Sequence, residues 1–249
     1  MKKLLLILLC LPIIGLGQVN IPDANFKAYL VGEPSINTNG DTEIQVSEAT
    51  AFNGTINCNS MNISDLTVIE DFTALTQLWC LGNLLSSLDV SQNTALNTLN
   101  CSDNQLTSLD VSNNTALIYL SCTSNQLSSL DVSNNNALTL LFCADNQLTS
   151  LDVRNGNNTN TLNFYTIDNP NLSCINVDDA AWSTTNWLDI DFQHYFSTNC
   201  SPSVIQEHSK NKEFLKVTDL LGRETKGTKN AVLFYTYDDG TVEKKIVVE

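Results

Sequence analysis

Histidine is almost missing from this 249-residue chain, which carries only His194 and His208. An imidazole-activated nucleophile would have to use His194, because His208 falls in "NCSPSVIQEHSKNK", which reads as a linker. Basic residues are scarce over most of the chain. Between Gln18 and Ser203 only Lys27 and Arg154 oppose 19 acidic residues, a charge of −17, whereas eight basic residues balance eight acidic ones from Val204 to Glu249. The change marks a boundary, and the negative field of the first part argues against nucleic acid or anionic membrane as its partner. Long apolar runs are absent after the first residues, "MKKLLLILLCLPIIGLGQ". Two lysines, an apolar run and small residues at Gly15 to Gly17 have the layout of a secretory signal cut near Gly17, not of a membrane span. Leu9 before Cys10 argues against lipid attachment. The mature chain is expected to be secreted or displayed on the outer cell surface.

What is present is a repeat. "LNCSDNQLTSLDVSNNTALIY" (99–119) returns as "LSCTSNQLSSLDVSNNNALTL" (120–140), flanked by copies at 78–98 and 141–161. A looser unit begins at Leu162 and a degenerate one surrounds Cys58. The apolar positions follow L-x-x-L-x-C-x-x-N-x-L: Leu96, Leu99, Cys101, Asn104 and Leu106, then Leu117, Leu120, Cys122, Asn125 and Leu127. Over about residues 56 to 177 this resembles the leucine-rich repeat, with cysteine in the third apolar slot. Leu99 and Cys101 alternate with polar neighbours, as a short strand with one buried face requires. Parallel strands about 4.8 Å apart would then stack into one continuous core. The expected fold is a leucine-rich-repeat solenoid, mostly β with little helix.

Asn83, Asn104, Asn125 and Asn146 stand where each strand turns away, and an amide side chain can satisfy both kinds of backbone group left inside. A second apolar cluster, Leu88/Val90, Leu109/Val111, Leu130/Val132 and Leu151/Val153, forms the other wall through short strands or extended segments. Asp89, Asp110, Asp131 and Asp152 then form an outward file of like charges, read either as caps of the following turn or as a cation-binding ridge. Cys80, Cys101, Cys122 and Cys143 share one column pointing the same way, so they read as buried free thiols. One thiol per strand and no histidine cannot surround a tetrahedral metal. Cys174 and Cys200 stand apart and are expected to bridge, closing a cap covered by Trp182, Trp187 and Phe192.

At the front, "PDANFKAYL" fits a capping helix, with Asp23 at its N-cap and Phe26, Tyr29 and Leu30 on one face. The following "NTNGDTEIQVSE" places Asn37, Asn39, Asp41, Glu43, Gln45 and Glu48 at positions 1, 3, 5, 7, 9 and 12, resembling an EF-hand loop. That resemblance implies calcium held by Asn37, Asn39, Asp41, Glu43 and Glu48. Asn37 in place of Asp, and Thr42 where glycine normally bends the chain, leave a hydrogen-bonded turn as the other reading. The tail reads as a small β module, with a strand at Leu215 to Leu221 and two more about "DDG". Its "DLLGRE", "YDDGTVEKK" and terminal "IVVE" resemble the type A C-terminal sorting domain of type IX secretion in the Bacteroidetes. The resemblance implies export across the outer membrane by that machinery, then removal of the tail or transfer to the surface. A merely stabilising β cap is the alternative.

The chain is thus expected to divide into a signal peptide (1–17), an N-terminal cap (18–55), repeats (56–173), a disulfide-closed cap (174–200), a linker (201–212) and a sorting domain (213–249). On the inner curve of the repeats, Trp79, Tyr119, Leu140 and Phe142 face outward and are expected to bind a ligand. A protein or a glycan would suit them, Trp79 lying three strands from Phe142, about 14 Å away. A structural surface protein without a ligand is the third reading. Asp189 and Asp191 in "LDIDF" imitate a carboxylate pair, but nothing resembles an activated nucleophile or closed metal site, so the reading is non-enzymatic.

Overall fold

A leucine recurs every 21 residues at the centre of a three-residue strand, and this position anchors each turn of the coil. In the computed structural model Leu78, Leu99, Leu120 and Leu141 are buried at the middles of β2 (Gln77–Trp79), β3 (Thr98–Asn100), β4 (Tyr119–Ser121) and β6 (Leu140–Phe142). Ile56 and Phe164 hold the same place in β1 (Thr55–Asn57) and β8 (Asn163–Tyr165). The structure describes residues 17–161 and 163–200 and, in the tail, 214–218, 223–225, 232–237 and 242–246. The signal-like leader up to residue 16 and the linker lie outside the described residues.

The six strands pair in parallel and in register, in the order β1-β2-β3-β4-β6-β8. The second apolar cluster builds the other wall, a parallel sheet of β5 (Ser129–Asp131), β7 (Ser150–Asp152), β9 (Cys174–Asn176) and β10 (Tyr195–Ser197). Its earlier turns use the same leucine and valine positions without a regular strand. Leu, Val and Cys side chains between the walls make one core running from Val19 to Phe196.

Two asparagine columns satisfy the backbone that the corners turn inward. Asn104 Nδ2 donates to the carbonyls of Cys80 (3.0 Å) and Cys101 (3.1 Å), while its Oδ1 accepts from the Leu85 amide (3.0 Å). Each such residue stitches its own turn to the one before, and Asn169 continues the column that the sequence announced through Asn146. A second column, Asn93, Asn114 and Asn135, is fully buried at the opposite corner. Asn114 Nδ2 donates there to Val90 and Asn93 carbonyls, both at 2.9 Å.

Helix α1 (Ala24–Gly32) closes the front. Asp23 caps its first amides and also accepts from the amide and hydroxyl of Ser64, tying the cap to the first turn. Phe26 and Leu30 are buried, and the Asn57 amide donates to the Tyr29 hydroxyl. At the rear, Cys174 and Cys200 form a disulfide, with α3 (Ala180–Asn186) between them. Trp187 stacks on Phe164 at 4.2 Å and meets Phe196 edge-on at 5.6 Å, with Trp182 packed against it. Phe192, expected to help cover this end, is fully exposed. Phe196 at the centre of β10 takes the inward place, because the strand's alternation turns it to the core.

The residues from Ser201 onward form a second unit. Its described part is an antiparallel sheet of β11 (Phe214–Thr218), β12 (Val232–Tyr237) and β13 (Val242–Ile246). The "DDG" turn lies outside the described residues, and Thr218 bridges to Glu224 across the "GRE" stretch. Among the described residues no helix is long and apolar enough to cross a membrane.

Candidate binding interface

With the central residue of every strand buried, its two neighbours must face outward. On the six-stranded sheet these are Thr55 and Asn57, Gln77 and Trp79, Thr98 and Asn100, Tyr119 and Ser121, Leu140 and Phe142, Asn163 and Tyr165. None of them is charged, on a body that is otherwise strongly acidic. The structure brings Trp79, Tyr119, Leu140 and Phe142 to this one face, all half-buried.

The sequence placed Trp79 and Phe142 as separate anchors, and here the side chains correct it. Trp79 leans diagonally across β3 to Tyr119, ring centres 5.7 Å apart, and Tyr119 leans on to Phe142 at 5.7 Å. Phe142 meets Tyr165 on the next strand at 6.5 Å. Asn100 and Ser121, small and buried, leave the space that the diagonal contacts occupy. The result is a continuous ridge of four aromatic rings crossing five strands, roughly 19 Å long at strand spacing. Tyr165 was missed because the repeat loosens after Asn160; its register with Phe142 and Ser121 is visible only in the pairing.

The other sequence candidates are each engaged elsewhere. Asn37 Nδ2 donates to the Val31 (3.0 Å) and Asp41 (2.8 Å) carbonyls, and its Oδ1 accepts from the Gly40 amide. Asn39 donates to Asp41, whose other oxygen accepts from the Glu43 amide. Glu43 pairs with Lys27 at 2.7 Å. Glu48 accepts from the Thr38, Asn39 and Gln45 amides as the capping box of α2 (Val46–Ala51). Burial raises the Glu48 carboxyl, but these donors outweigh it and hold it below the ordinary range. Among the described residues no group of three or more His, Cys, Asp or Glu side chains is arranged to hold a metal. The loop is thus closed by its own hydrogen bonds. Millimolar calcium is expected to leave the melting temperature unchanged; a rise in the parent that Asp41→Ala abolishes would establish the calcium site instead.

The aspartate file caps turns. Asp89, Asp110 and Asp131 each accept from the amide two residues on, at Ser91, Ser112 and Ser133. Asp152 does so with Arg154 and pairs with its guanidinium. The amide and hydroxyl of Ser91 lower the Asp89 carboxyl, and those of Ser112 lower Asp110. A groove of about 560 Å³ runs beside them, lined by Asp65, Glu70, Asp89 and Asp110, but all four carboxylates are committed to nearby amides.

Of the carboxylate pair, Asp191 is engaged through its side chain and Asp189 through its main chain. Asp191 accepts from the Asp168 (2.9 Å) and Asn169 (2.8 Å) amides, and the Asp191 amide donates to His194 Nδ1. Burial raises the Asp191 carboxyl, yet the two amides and the nearby His194 keep it below its ordinary value. The Asp189 carbonyl accepts from the Thr166 amide and extends the sheet by one bridge. Cys58, Cys80, Cys101, Cys122 and Cys143 are free, buried and aligned, and Cys80 Sγ donates to the Asn100 carbonyl.

No family model matches the chain, and no curated protein matches it. Among solved structures it is similar to the functional domain of InlJ from Listeria monocytogenes, described as including a cysteine ladder. Identity is 31% and the TM-score 0.55, covering 72% of this chain and 46% of that one. An internalin (inlF) from the same organism is 18% identical, with a TM-score of 0.43 over 71% of this chain and 56% of that one. An internalin C2 (inlC2), also from Listeria monocytogenes, is 16% identical, with a TM-score of 0.30 over 71% and 94%. The chain thus spans less than half of the InlJ structure. The fold is a leucine-rich-repeat solenoid, and among the described residues it carries a column of five buried free cysteines.

Proposed function

We propose that this is a secreted or cell-surface protein that binds a protein partner through the outward face of its six-stranded sheet. The observation that carries the reading is the aromatic ridge of Trp79, Tyr119, Phe142 and Tyr165, uncharged and half-open, with Leu140 beside it. Half-exposed aromatics grouped on one rigid sheet bury much apolar area at little entropic cost when a partner covers them.

Ring geometry favours a protein over a glycan. Two six-membered rings lying side by side in one plane with centres 5.7 Å apart would bring carbons well inside the roughly 3.5 Å of van der Waals contact. Tyr119 and Phe142 must therefore turn part of their faces to each other. A sugar stacks on an open ring face, whereas apolar side chains can wedge between ring edges. Among the described residues no imidazole or thiol adjoins this face, and the strand residues that form it carry no carboxylate; the reading is non-enzymatic.

Retention of partners from a cell-surface extract on the immobilised protein tests this. Retention is expected to fall at least tenfold with Tyr119→Ala/Phe142→Ala at an unchanged melting curve, and to vanish when the extract is treated with protease. Loss on periodate treatment, with protease having no effect, would favour the glycan reading; retention indifferent to the double substitution would contradict both.

The leader (1–17) serves as the secretory signal and the unit from residue 213 as a type IX sorting domain in this reading. Their resemblances support it, as does the three-stranded antiparallel sheet. Truncation before Phe214 in a type IX-competent host is expected to leave the protein in the periplasm; unchanged surface display would contradict that role.

A further inference from the structure

The uncharged face has one charged margin. Two residues past each buried cysteine the chain enters the left-handed region, at Ser60, Gly82, Asp103, Ser124 and Asp145, and at Asp168 past the equivalent Thr166. Glycine, asparagine and aspartate all adopt this backbone, so the conformation admits an acid but does not require its charge. Yet three of the last four positions are aspartate and none is asparagine. Unlike Asp89, Asp110, Asp131 and Asp152, these three carboxylates are exposed and accept no hydrogen bond among the described residues, so no turn needs their charge.

Their placement is one-sided. Asp103, Asp145 and Asp168 follow β3, β6 and β8, so they line the edge where those strands leave the sheet, beside the ridge. From Asp103 to Asp145 is two strand steps, about 10 Å, and from Asp145 to Asp168 one step, about 5 Å. The opposite margin, where the strands enter, carries Thr76, Asn97, Ile118 and Thr139 and no charge. The body's two cations, Lys27 and Arg154, are paired with Glu43 and Asp152. Within residues 17–200, therefore, no unpaired cation is left to meet this row.

We propose that the partner meets the ridge with apolar or aromatic side chains flanked on one side by lysine or arginine, the cations lying along the Asp103, Asp145 and Asp168 margin. The inference rests on the protein-binding reading and adds the partner's charge and its orientation. An apolar centre fixes the contact, while a single charged rim steers encounter and selects one of two ways round. A neutral apolar segment would leave the row without a counter-charge, and an acidic one would be repelled on approach.

Selection of a random twelve-residue peptide display library on the purified full chain tests this, with the same protein exposed to neutral cello-, xylo- and chito-oligosaccharides. Enriched peptides are expected to combine aromatic or branched aliphatic residues with an excess of lysine and arginine, and to lose binding on Tyr119→Ala/Phe142→Ala. On the triple variant Asp103→Asn/Asp145→Asn/Asp168→Asn, whose asparagines keep the left-handed backbone, their affinity should fall at least tenfold, and it should weaken with added salt on the parent only. Peptides that need the ridge but show no basic excess and bind the triple variant equally overturn this inference and leave the protein-binding face standing. Peptides indifferent to the ridge substitutions, or oligosaccharides bound through the ridge in their place, overturn both.

Discussion

Replacing Asn125 by alanine is expected to destabilise the protein by about 4 kcal/mol or more, a large fraction of the roughly 5–15 kcal/mol that holds a domain folded. The side chain donates to the carbonyls of Cys101 (3.0 Å), Cys122 (3.1 Å) and Thr123 (3.2 Å) and accepts from the Leu106 amide (3.0 Å). Each backbone group stranded in the dry interior costs about 1–3 kcal/mol, and neighbouring turns cannot move to help because they are locked by the same device. Asn125→Asp should be worse, since it aims a carboxylate at three carbonyl oxygens. The exposed neighbour Gln126→Ala supplies the control, expected within about 0.5 kcal/mol of the parent. Urea unfolding followed by circular dichroism reads the difference; equal midpoints for Asn125→Ala and Gln126→Ala would contradict the role given to the asparagine column.

The second large effect is an alkaline collapse. Burial pushes the thiols of Cys58, Cys101 and Cys143 up to about 12, and those of Cys80 and Cys122 well above their ordinary value of 9.0, neighbouring thiols adding to the last two. Above pH 9 the unfolded chain releases these protons while the folded chain keeps them. The folded state then binds more protons, so stability falls as pH rises. Stability is fully present below about pH 9 and is lost between there and pH 12 and above. Each thiol contributes about 1.4 kcal/mol per pH unit, so five together give a slope near 7 kcal/mol per unit, comparable to the whole stability of a domain. Unfolding within roughly one to two pH units above 9 is expected, with thiol-specific reagents reaching the column only as the fold is lost. Cys101→Ala/Cys122→Ala should flatten the slope by about two fifths despite starting from a less stable protein. A slope that the double substitution leaves unchanged would assign the collapse to other groups.

How much was legible in the sequence follows from what each signal encodes. Period and phase put Leu99 and Leu120 inside and Thr98 and Tyr119 outside, because a one-residue slip would reverse every side chain. The parallel walls and the Asn83 to Asn146 column follow from the same rhythm. The Asn93, Asn114 and Asn135 column kept the same period, but "S-N-N" read as a turn, and a turn asparagine is ordinarily wet. Its burial comes from a corner closed by the turns on either side, which no single unit reveals. The Trp79 to Tyr119 contact was hidden because strand spacing fixes Cα positions, not side-chain lean, and only the small Asn100 between them lets the rings meet. Phe192 failed for a similar reason: its apolar character said core, whereas the cap's last strand gave that place to Phe196.

Hydroxyl-radical footprinting of the protein with its retained surface-extract partner, resolved by mass spectrometry, tests the central claim most directly. Trp79, Tyr119, Phe142 and Tyr165 should be oxidised in the free protein and protected together in the complex, while Phe192 and Tyr195, exposed at the rear cap, stay equally reactive in both. Protection at Phe192 and Tyr195 with the ridge oxidised as before would place the contact elsewhere and contradict the account.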